Sequence, residues 1–318
     1  IQRIRFAKCL FLGVIPVLVT IILQKWFNVY GPFRYLNGLL VFYLKDVAIV
    51  NSGSAGLFSN PNYAGLWLSA TLPFSFQILE TYKSNKFKFG FIFTILISTL
   101  YCILLTNSRN SFLGIIISMS IMLSGKFLFL LLILGLLFVL FSQWILPSFL
   151  GITDVDLLPK TTFKKLLLTN YFDKVQFRRI DIWSKSFNFI LKKPLLGWGA
   201  STFPILYFIR GGLERSQHTH NMLLELAHNN GIPLAIILTG FVTILFFKAW
   251  KIIFIKNKNS ASIINKAWIA SFLIIIISHI SDITYYDGRV SLLIWILMAG
   301  LKTILDEDKI KNHLNNLN

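Results

Sequence analysis

Long unbroken runs of apolar residues constrain this fold more than any other feature of the sequence. Residues 91–105 read FIFTILISTLYCILL, and residues 274–280 read IIIISHI. These runs lack the alternation of barrel strands, and a helix satisfies its own backbone hydrogen bonds in lipid. With 55% apolar and 14% charged residues, the chain has the composition of a multispanning membrane protein. The sequence therefore predicts an all-α fold whose solvent is the bilayer.

Eight segments are apolar enough to cross a membrane, which takes about 20 residues as a helix. They lie at residues 6–24, 62–80, 89–106, 110–125, 127–146, 231–248, 262–280 and 289–305. Residues 33–50 are also apolar, but Lys45 and Asp46 interrupt them, so we predict a short interfacial or re-entrant piece there. Because the first residue is Ile1 and not methionine, we expect the chain to lack earlier helices.

Lysine and arginine in short loops predict the orientation, because cytoplasmic loops retain them. The basic residues that flank the predicted spans gather at one end of the eight-helix arrangement: Arg3, Arg5, Lys8, Lys83, Lys86, Lys88, Lys126, Lys248, Lys251, Lys256 and Lys258. We assign that end to the cytoplasm. The chain then divides into spans one to five with an Asn-Pro-Asn outer loop (1–146), a large outer loop (147–230), spans six to eight (231–305) and a cytoplasmic tail (306–318).

The large outer loop is basic, with 11 Lys or Arg against 6 Asp or Glu. Long loops escape the rule that keeps positive charge in the cytoplasm, so this charge agrees with the assigned orientation. Two explanations stay open: an anionic partner that binds the loop, or a solvated basic face beside anionic lipid headgroups.

Arg109 lies in TNSRNSFLG, a turn where one apolar run ends and the next begins. An arginine near membrane depth costs about 2.5–3.5 kcal/mol, so it usually faces a wet cavity or an anionic group. An interfacial arginine that reaches a lipid phosphate is the simpler alternative. Asn107, Ser108 and Asn110 extend the arginine into a polar patch, which favours contact with a ligand.

An amphipathic helix is predicted from about Arg178 to Leu191, before Pro194 and two glycines interrupt the pattern. Arg178 and Arg179 would lie at its start, where backbone N–H groups and guanidinium groups together suit a phosphate. A helix that lies on the membrane with its basic residues toward the headgroups explains the same pattern.

The segment ERSQHTHNMLLELAHNNGIP, residues 214–233, holds three of the five histidines. His218 and His220 would point the same way on an extended strand, a spacing that can ligate a metal. The sequence offers no convincing third ligand, and we therefore predict no metal site.

From Asn221 the pattern becomes helical, with Glu225 and His228 on one polar side. His220 then precedes a helix N-terminus, which disfavours added positive charge and suits a general base. Glu225 or Asn221 would orient its imidazole, His218 would be a neighbour and His228 a surface residue. The alternative is an exposed loop histidine without a role.

Two further polar groups lie on the same predicted side of the membrane. Asn60 and Asn62 flank a proline in GLFSNPNYAGLW, which predicts an Asx turn that caps the next helix. Asp282, Asp287 and Arg289 occupy the last outer loop, where they would pair with one another or with the arginines above.

In this order, these segments resemble the O-antigen ligase and polymerase superfamily of bacterial envelope polysaccharide synthesis. GLFSNPNYAG is similar to the family's asparagine-proline-asparagine turn, TNSRNSFLG to its arginine turn, and RRIDIWSKSFNFILKKPLLGWGASTF to the start of its periplasmic loop. The strongest match is His220 and Asn221, followed after nine residues by Gly231. Members usually have ten or more spans, which fits an N-terminally truncated fold here.

The resemblance implies a glycosyltransferase of the bacterial inner membrane that needs no metal or other cofactor. Its donor would be a glycan on undecaprenyl diphosphate, and its acceptor lipid A–core, another glycan or a protein; no nucleic acid is expected. The outer loop would be periplasmic, with His220 as the catalytic base. Arg109 and Arg179 match arginines that hold the donor diphosphate, with Arg178 as the alternative to Arg179. Further substrate-binding candidates are Arg215, His218, Asn221 and Glu225.

Alternatives of two kinds stay open. The same donor chemistry serves a polymerase that extends the glycan or a ligase that transfers it to protein. The superfamily also includes proteins once proposed as bicarbonate transporters, and SDITYYDGRVSLLIWIL is similar to their last-helix region. An anion transporter would carry many polar residues in its helix interiors, and these are sparse here.

Overall fold

The computed structural model describes residues 2–42, 44, 53–123, 169–212, 216–256 and 262–316. Two compact units make up the chain, Ile1–Leu167 and Leu168–Asn318. Helices dominate both units, and the strands among the described residues belong to one short hairpin. This architecture confirms the predicted all-α membrane fold.

The first unit is built from five described helices and the hairpin. The helices are α1 (Gln2–Leu12), α2 (Val14–Trp26), α3 (Pro61–Thr81), α4 (Lys86–Leu105) and α5 (Arg109–Met122). Between α2 and α3, strands β1 (Phe33–Tyr35) and β2 (Leu40–Phe42) pair antiparallel. The hairpin occupies the described part of residues 33–50, for which the sequence predicts a short piece that does not span the membrane.

Asn60 begins α3 as its N-cap, because its Oδ1 accepts a hydrogen bond from the Asn62 N–H at 2.9 Å. The predicted Asx turn is therefore confirmed. Helix α3 then packs against α4 and α5. A Cβ at Gly65 would lie 2.1 Å from Ser111 Oγ, so α3 and α5 approach each other as closely as glycine allows.

The second unit contains six described helices. They are α6 (Thr169–Lys192), α7 (Phe203–Ile209), α8 (Met222–Asn230), α9 (Ile232–Trp250), α10 (Ile263–Ser281) and α11 (Gly288–Asn315). A π-helical turn, Lys251–Lys256, extends α9. Helices α9, α10 and α11 pack in pairs, and a Cβ at Gly300 of α11 would lie 2.5 Å from Cε3 of Trp268 in α10.

Five helical segments among the described residues are long and apolar enough to cross a membrane. They are Gln2–Trp26, Lys86–Leu105, Ile232–Lys256, Ile263–Ser281 and Gly288–Asn315. The predicted spans 62–80 and 110–125 correspond to α3 and to α5, which has 14 residues. The predicted span 127–146 lies outside the described residues. The chain is a multi-pass membrane protein, and eight remains the predicted number of its spans.

Helix α6 begins at Thr169, well before the start predicted near Arg178. That prediction is wrong because the preceding residues, TNYFDKVQF, contain neither proline nor glycine and continue the helix. Arg178 and Arg179 therefore lie in the helix interior. Backbone N–H groups at this point donate within the helix, so no helix terminus is available there to bind a phosphate.

Candidate functional site

The loop before α8 presents the two histidines of the HTHN motif. Asn221 is the N-cap of α8, because its Oδ1 accepts from the Leu224 N–H at 3.1 Å. His220 therefore precedes the helix N-terminus, as predicted. Its backbone is left-handed, with φ +54°, a conformation that costs a non-glycine residue on the order of 1–3 kcal/mol. Surrounding contacts must hold the loop in this shape.

Asp282 is the partner of His220 in the second unit. His220 Nδ1 lies 3.1 Å from Asp282 Oδ1, and Asn221 Nδ2 donates to the carbonyl oxygen of Ile280 at 3.0 Å. Asp282 directly follows the spanning helix α10. The histidine loop is thus bonded to the end of α10, one of the helices that are long and apolar enough to cross a membrane.

The charge of Asp282 fixes the tautomer of His220. Burial by itself would raise the pKa of this carboxyl, but the hydrogen bond from His220 and the nearby His220 and His218 charges outweigh it and lower the pKa. An ionised carboxylate can only accept, so Nδ1 of His220 is the donor, and in the neutral form of the ring the hydrogen is on Nδ1. Nε2 of His220 is then the nitrogen with a lone pair.

His218 packs beside His220 as the sequence predicts. The two ring centroids are 4.2 Å apart, and His218 Nδ1 accepts from the His220 N–H at 3.2 Å. Burial, followed by the charge of His220, lowers the pKa of His218 to about 4. His218 is therefore a neutral hydrogen-bond acceptor at pH 7, and it supports the His220 backbone.

Glu225 holds the loop rather than the imidazole of His220. Its buried carboxylate accepts from the Thr219 N–H at 3.0 Å through Oε2, and from the Tyr286 O–H at 2.5 Å through Oε1. Asn229 Nδ2 donates to the same Oε1 at 3.3 Å. One side chain of α8 thus fastens the histidine loop to the segment between α10 and α11.

His228 is fully buried, and its prediction as a surface residue is wrong. Its Nε2 lies 3.1 Å from Thr202 Oγ1, and its ring packs edge-on against Phe189 and Phe203. The helical pattern marks one polar side of α8, but residues from α6 and α7 cover that side. Burial lowers the pKa of His228, so the residue is a neutral part of the core.

The arginines predicted to bind the donor lie in different parts of the chain, and one of them is outside the described residues. Arg109 is the first residue of α5 in the first unit, at the predicted turn. Arg178 and Arg179 lie in α6 of the second unit, and Arg215 lies outside the described residues. Arg289 pairs with Asp287 at 2.6 Å, which confirms one of the pairings expected in the last loop. Donor contacts by Arg109, Arg178, Arg179 and Arg215 stay predictions.

One group of side chains among the described residues has metal-ligand spacing. Single ligand atoms of His218, His220 and Asp282 all lie within 4.8 Å of one another. Asp282 supplies the third donor that is missing from the local sequence, because it follows His220 by 62 residues. Two imidazoles and a carboxylate are ligands that zinc accepts. The expectation of a reaction without metal stays a prediction.

Sequence reasoning finds the histidines but assigns other partners to Asp282. The available signal is an acid that directly follows an apolar span on the same predicted side as the histidine motif. Tyr286 gives no comparable signal, because its partner Glu225 is 61 residues away.

Comparison with protein families matches residues 93–239 to the family described as O-Antigen ligase. The matched region includes Arg109, the whole of α6 and the complete histidine segment. It ends within α9 and does not contain Asp282. Comparison with curated proteins gives no match.

Proposed function

We propose, from the premise that residues 93–239 are an O-antigen ligase domain, that this chain is a membrane glycosyltransferase. It transfers or polymerises a glycan carried on undecaprenyl diphosphate. The observation that carries this proposal is the imidazole of His220, held by the buried carboxylate of Asp282 at the end of a membrane span.

The depth of the site suits a lipid-linked donor. A diphosphate on a polyprenyl chain lies at the level of the lipid headgroups, because the chain is in the bilayer and the diphosphate must be hydrated or paired. The contacts of His220 and Asn221 with Asp282 and Ile280 bring the histidine to that level. A soluble sugar nucleotide would not require this position.

His220 and Asp282, together the dyad, supply the base that glycosyl transfer needs. The acceptor hydroxyl gives its proton to Nε2 of His220, and its oxygen attacks the anomeric carbon of the donor sugar. The bond from that carbon to the diphosphate oxygen breaks, and undecaprenyl diphosphate leaves with the electron pair. Asp282 stabilises the imidazolium through Nδ1–H. Direct attack inverts the anomeric centre, and His220 later releases its proton to water.

Arginines would stabilise the charge that develops on the departing diphosphate. We assign this role to Arg109 and Arg179, with Arg178 as the alternative to the second. Substitution of either residue by alanine should weaken donor binding, measured as a higher KM for the lipid-linked donor. A fall in kcat with unchanged donor affinity would mean that the arginines act elsewhere.

We place the protein in the bacterial inner membrane with the dyad on the periplasmic side. The acceptor is lipid A–core, a growing glycan or a protein, and the products distinguish these cases. A ligase yields glycan on lipid A–core, a polymerase yields longer chains on the lipid carrier, and a protein transferase yields glycoprotein.

Reconstituted protein tests the dyad directly, using proteoliposomes that contain lipid-linked donor and acceptor. His220→Ala should lower the transfer rate by about 10²–10⁴-fold, the usual contribution of a general base. Asp282→Asn should lower kcat in the same direction, because the amide does not stabilise the imidazolium. His313→Ala, a change at an exposed histidine near the end of α11, should leave the rate unchanged. If His220→Ala protein is folded and inserted and its transfer rate is undiminished, His220 is not the general base.

A further inference from the structure

The turn that follows α6 carries two highly exposed leucines. Leu195 and Leu196 are 70% and 86% exposed, although apolar side chains of this size normally bury in a core or in lipid. Leu191, in the last turn of α6, is also exposed. Three leucines on one short stretch form an apolar surface that nothing in the described part of the chain covers.

Hydrogen bonds fix the position of this turn relative to α9, a helix long and apolar enough to cross a membrane. The Ile232 N–H, at the first residue of the spanning helix α9, donates to the carbonyl oxygen of Pro194 at 2.7 Å. The Trp198 N–H donates to the His228 carbonyl at 2.7 Å, and the Gly199 N–H to the Asn229 carbonyl at 3.0 Å. The leucines therefore lie beside the point where α9 enters the bilayer.

Close packing prevents the turn from moving away from that point. A Cβ at Gly231 would lie 2.0 Å from the carbonyl oxygen of Leu195. Gly231 itself has φ +88° and ψ 163°, a conformation that essentially only glycine adopts without strain. The turn and the start of α9 thus form one rigid corner.

The polar residues of the corner are those found at membrane surfaces. Lys192 and Lys193 are exposed, and Lys193 Nζ lies 4.3 Å from the centroid of the Trp198 ring. Tryptophan and lysine concentrate at the lipid–water boundary, where the ring sits among headgroups and the ammonium group meets lipid phosphates. Leucines next to such residues enter the acyl region.

We propose that Leu195 and Leu196 insert into the headgroup–acyl boundary of the membrane that the chain spans, with Lys192 and Lys193 on the headgroup phosphates. Amphipathic segments that lie in the membrane interface bury their apolar side chains about 5–10 Å deep, and we expect the same depth for the two leucines. The insertion does not depend on the transfer reaction. Together with α9, the inserted leucines hold the rigid corner at a fixed depth in the membrane.

Fluorescence quenching in liposomes tests the insertion. The chain has two cysteines, of which Cys102 is buried and Cys9 exposed, so a Cys9→Ser background suffices. A polarity-sensitive fluorophore is attached at Leu196→Cys, and separately at Leu195→Cys in case one variant misfolds. The liposomes contain phosphatidylglycerol and phosphatidylethanolamine. Quenchers are iodide, present both inside and outside the liposomes because Leu196 and His313 are predicted on opposite faces, and phospholipids brominated near the carbonyl end of their acyl chains.

Two matched labels calibrate the result. Ile237→Cys, at a residue 64% exposed within α9, reports the lipid environment; His313→Cys, on the exposed end of α11, reports water. We expect bromolipid to quench the Leu196 label and iodide to quench it about fivefold less than the His313 label. Iodide quenching equal to that at His313 overturns the proposal, because the turn then lies in water. Protection from both quenchers also overturns it, since another protein surface or a second copy then covers the leucines.

Discussion

His218 makes the stability of the second unit depend on pH. Burial and the neighbouring His220 charge lower its pKa to about 4, whereas the unfolded chain takes up a proton near the ordinary value of 6.5. Between these values the unfolded state binds more protons, so stability present above pH 6.5 is lost as the pH falls toward 4. At pH 5 this loss is on the order of 1–2 kcal/mol.

We therefore expect the thermal unfolding midpoint in detergent to fall between pH 7 and pH 5, and to fall less in His218→Gln protein. Some fall should persist in the variant, because burial also lowers the pKa of His228. An identical fall in both proteins would show that His218 is not held neutral by the fold.

Glu225 is a positioning residue for His220, since it touches the loop backbone and not the imidazole. Tyr286→Phe removes the hydroxyl that donates to Glu225 and accepts from Asn229 Nδ2 at 3.4 Å. We expect kcat for transfer to fall about tenfold, a loss on the scale of one hydrogen bond to a charged group. The KM for donor should stay constant, because the loop and not the donor contact changes. A raised KM with unchanged kcat would instead place Tyr286 in substrate binding.

At the scale of elements, the corner between α8 and α9 depends on one glycine. Gly231→Ala adds a methyl group that meets the Leu195 carbonyl oxygen, at φ +88° and ψ 163°, a conformation essentially restricted to glycine that costs other residues about 1–3 kcal/mol. We expect a clear drop in the thermal midpoint. Gly240→Ala is the matched control, because a Cβ there meets nothing within 4 Å and the residue lies inside α9. Equal effects of the two changes would contradict the rigid corner.

The sequence predicts those elements that depend on residues close together in the chain. The N-cap of α3 depends on residues a few positions apart, and Asn60 is found where the pattern puts it. The helical pattern from Asn221 likewise predicts where α8 begins. The burial of His228 depends on Thr202, Phe189 and Phe203, which belong to other elements. The sequence period identifies the polar face of a helix, but it does not say what covers that face.

At the scale of the whole molecule, the composition of the apolar runs is sufficient to predict a multi-pass helical protein. The partner of His220 is not predictable in the same way, because its carboxylate belongs to a different helix connection. That pairing requires α8 and α10 to lie side by side, and such packing leaves no mark in either segment alone.

The orientation of the molecule is testable with the last span. In a Cys9→Ser background, Tyr285→Cys lies between α10 and α11, and His313→Cys lies near the other end of α11. We expect a membrane-impermeant maleimide to label Tyr285→Cys in intact spheroplasts and His313→Cys only after disruption. The reverse pattern would put the dyad in the cytoplasm and exclude a periplasmic transferase. Labelling of both in intact spheroplasts would show that α11 does not span.

The hydrogen bond between His220 and Asp282 also sets when the histidine acquires its carboxylate partner during synthesis. Asp282 is made 62 residues after His220 and follows the whole of α10. A nascent chain that has completed its histidine loop therefore carries an imidazole without its carboxylate until α10 has been made. Any product that terminates before Asp282 retains every residue of the histidine segment and still lacks the dyad.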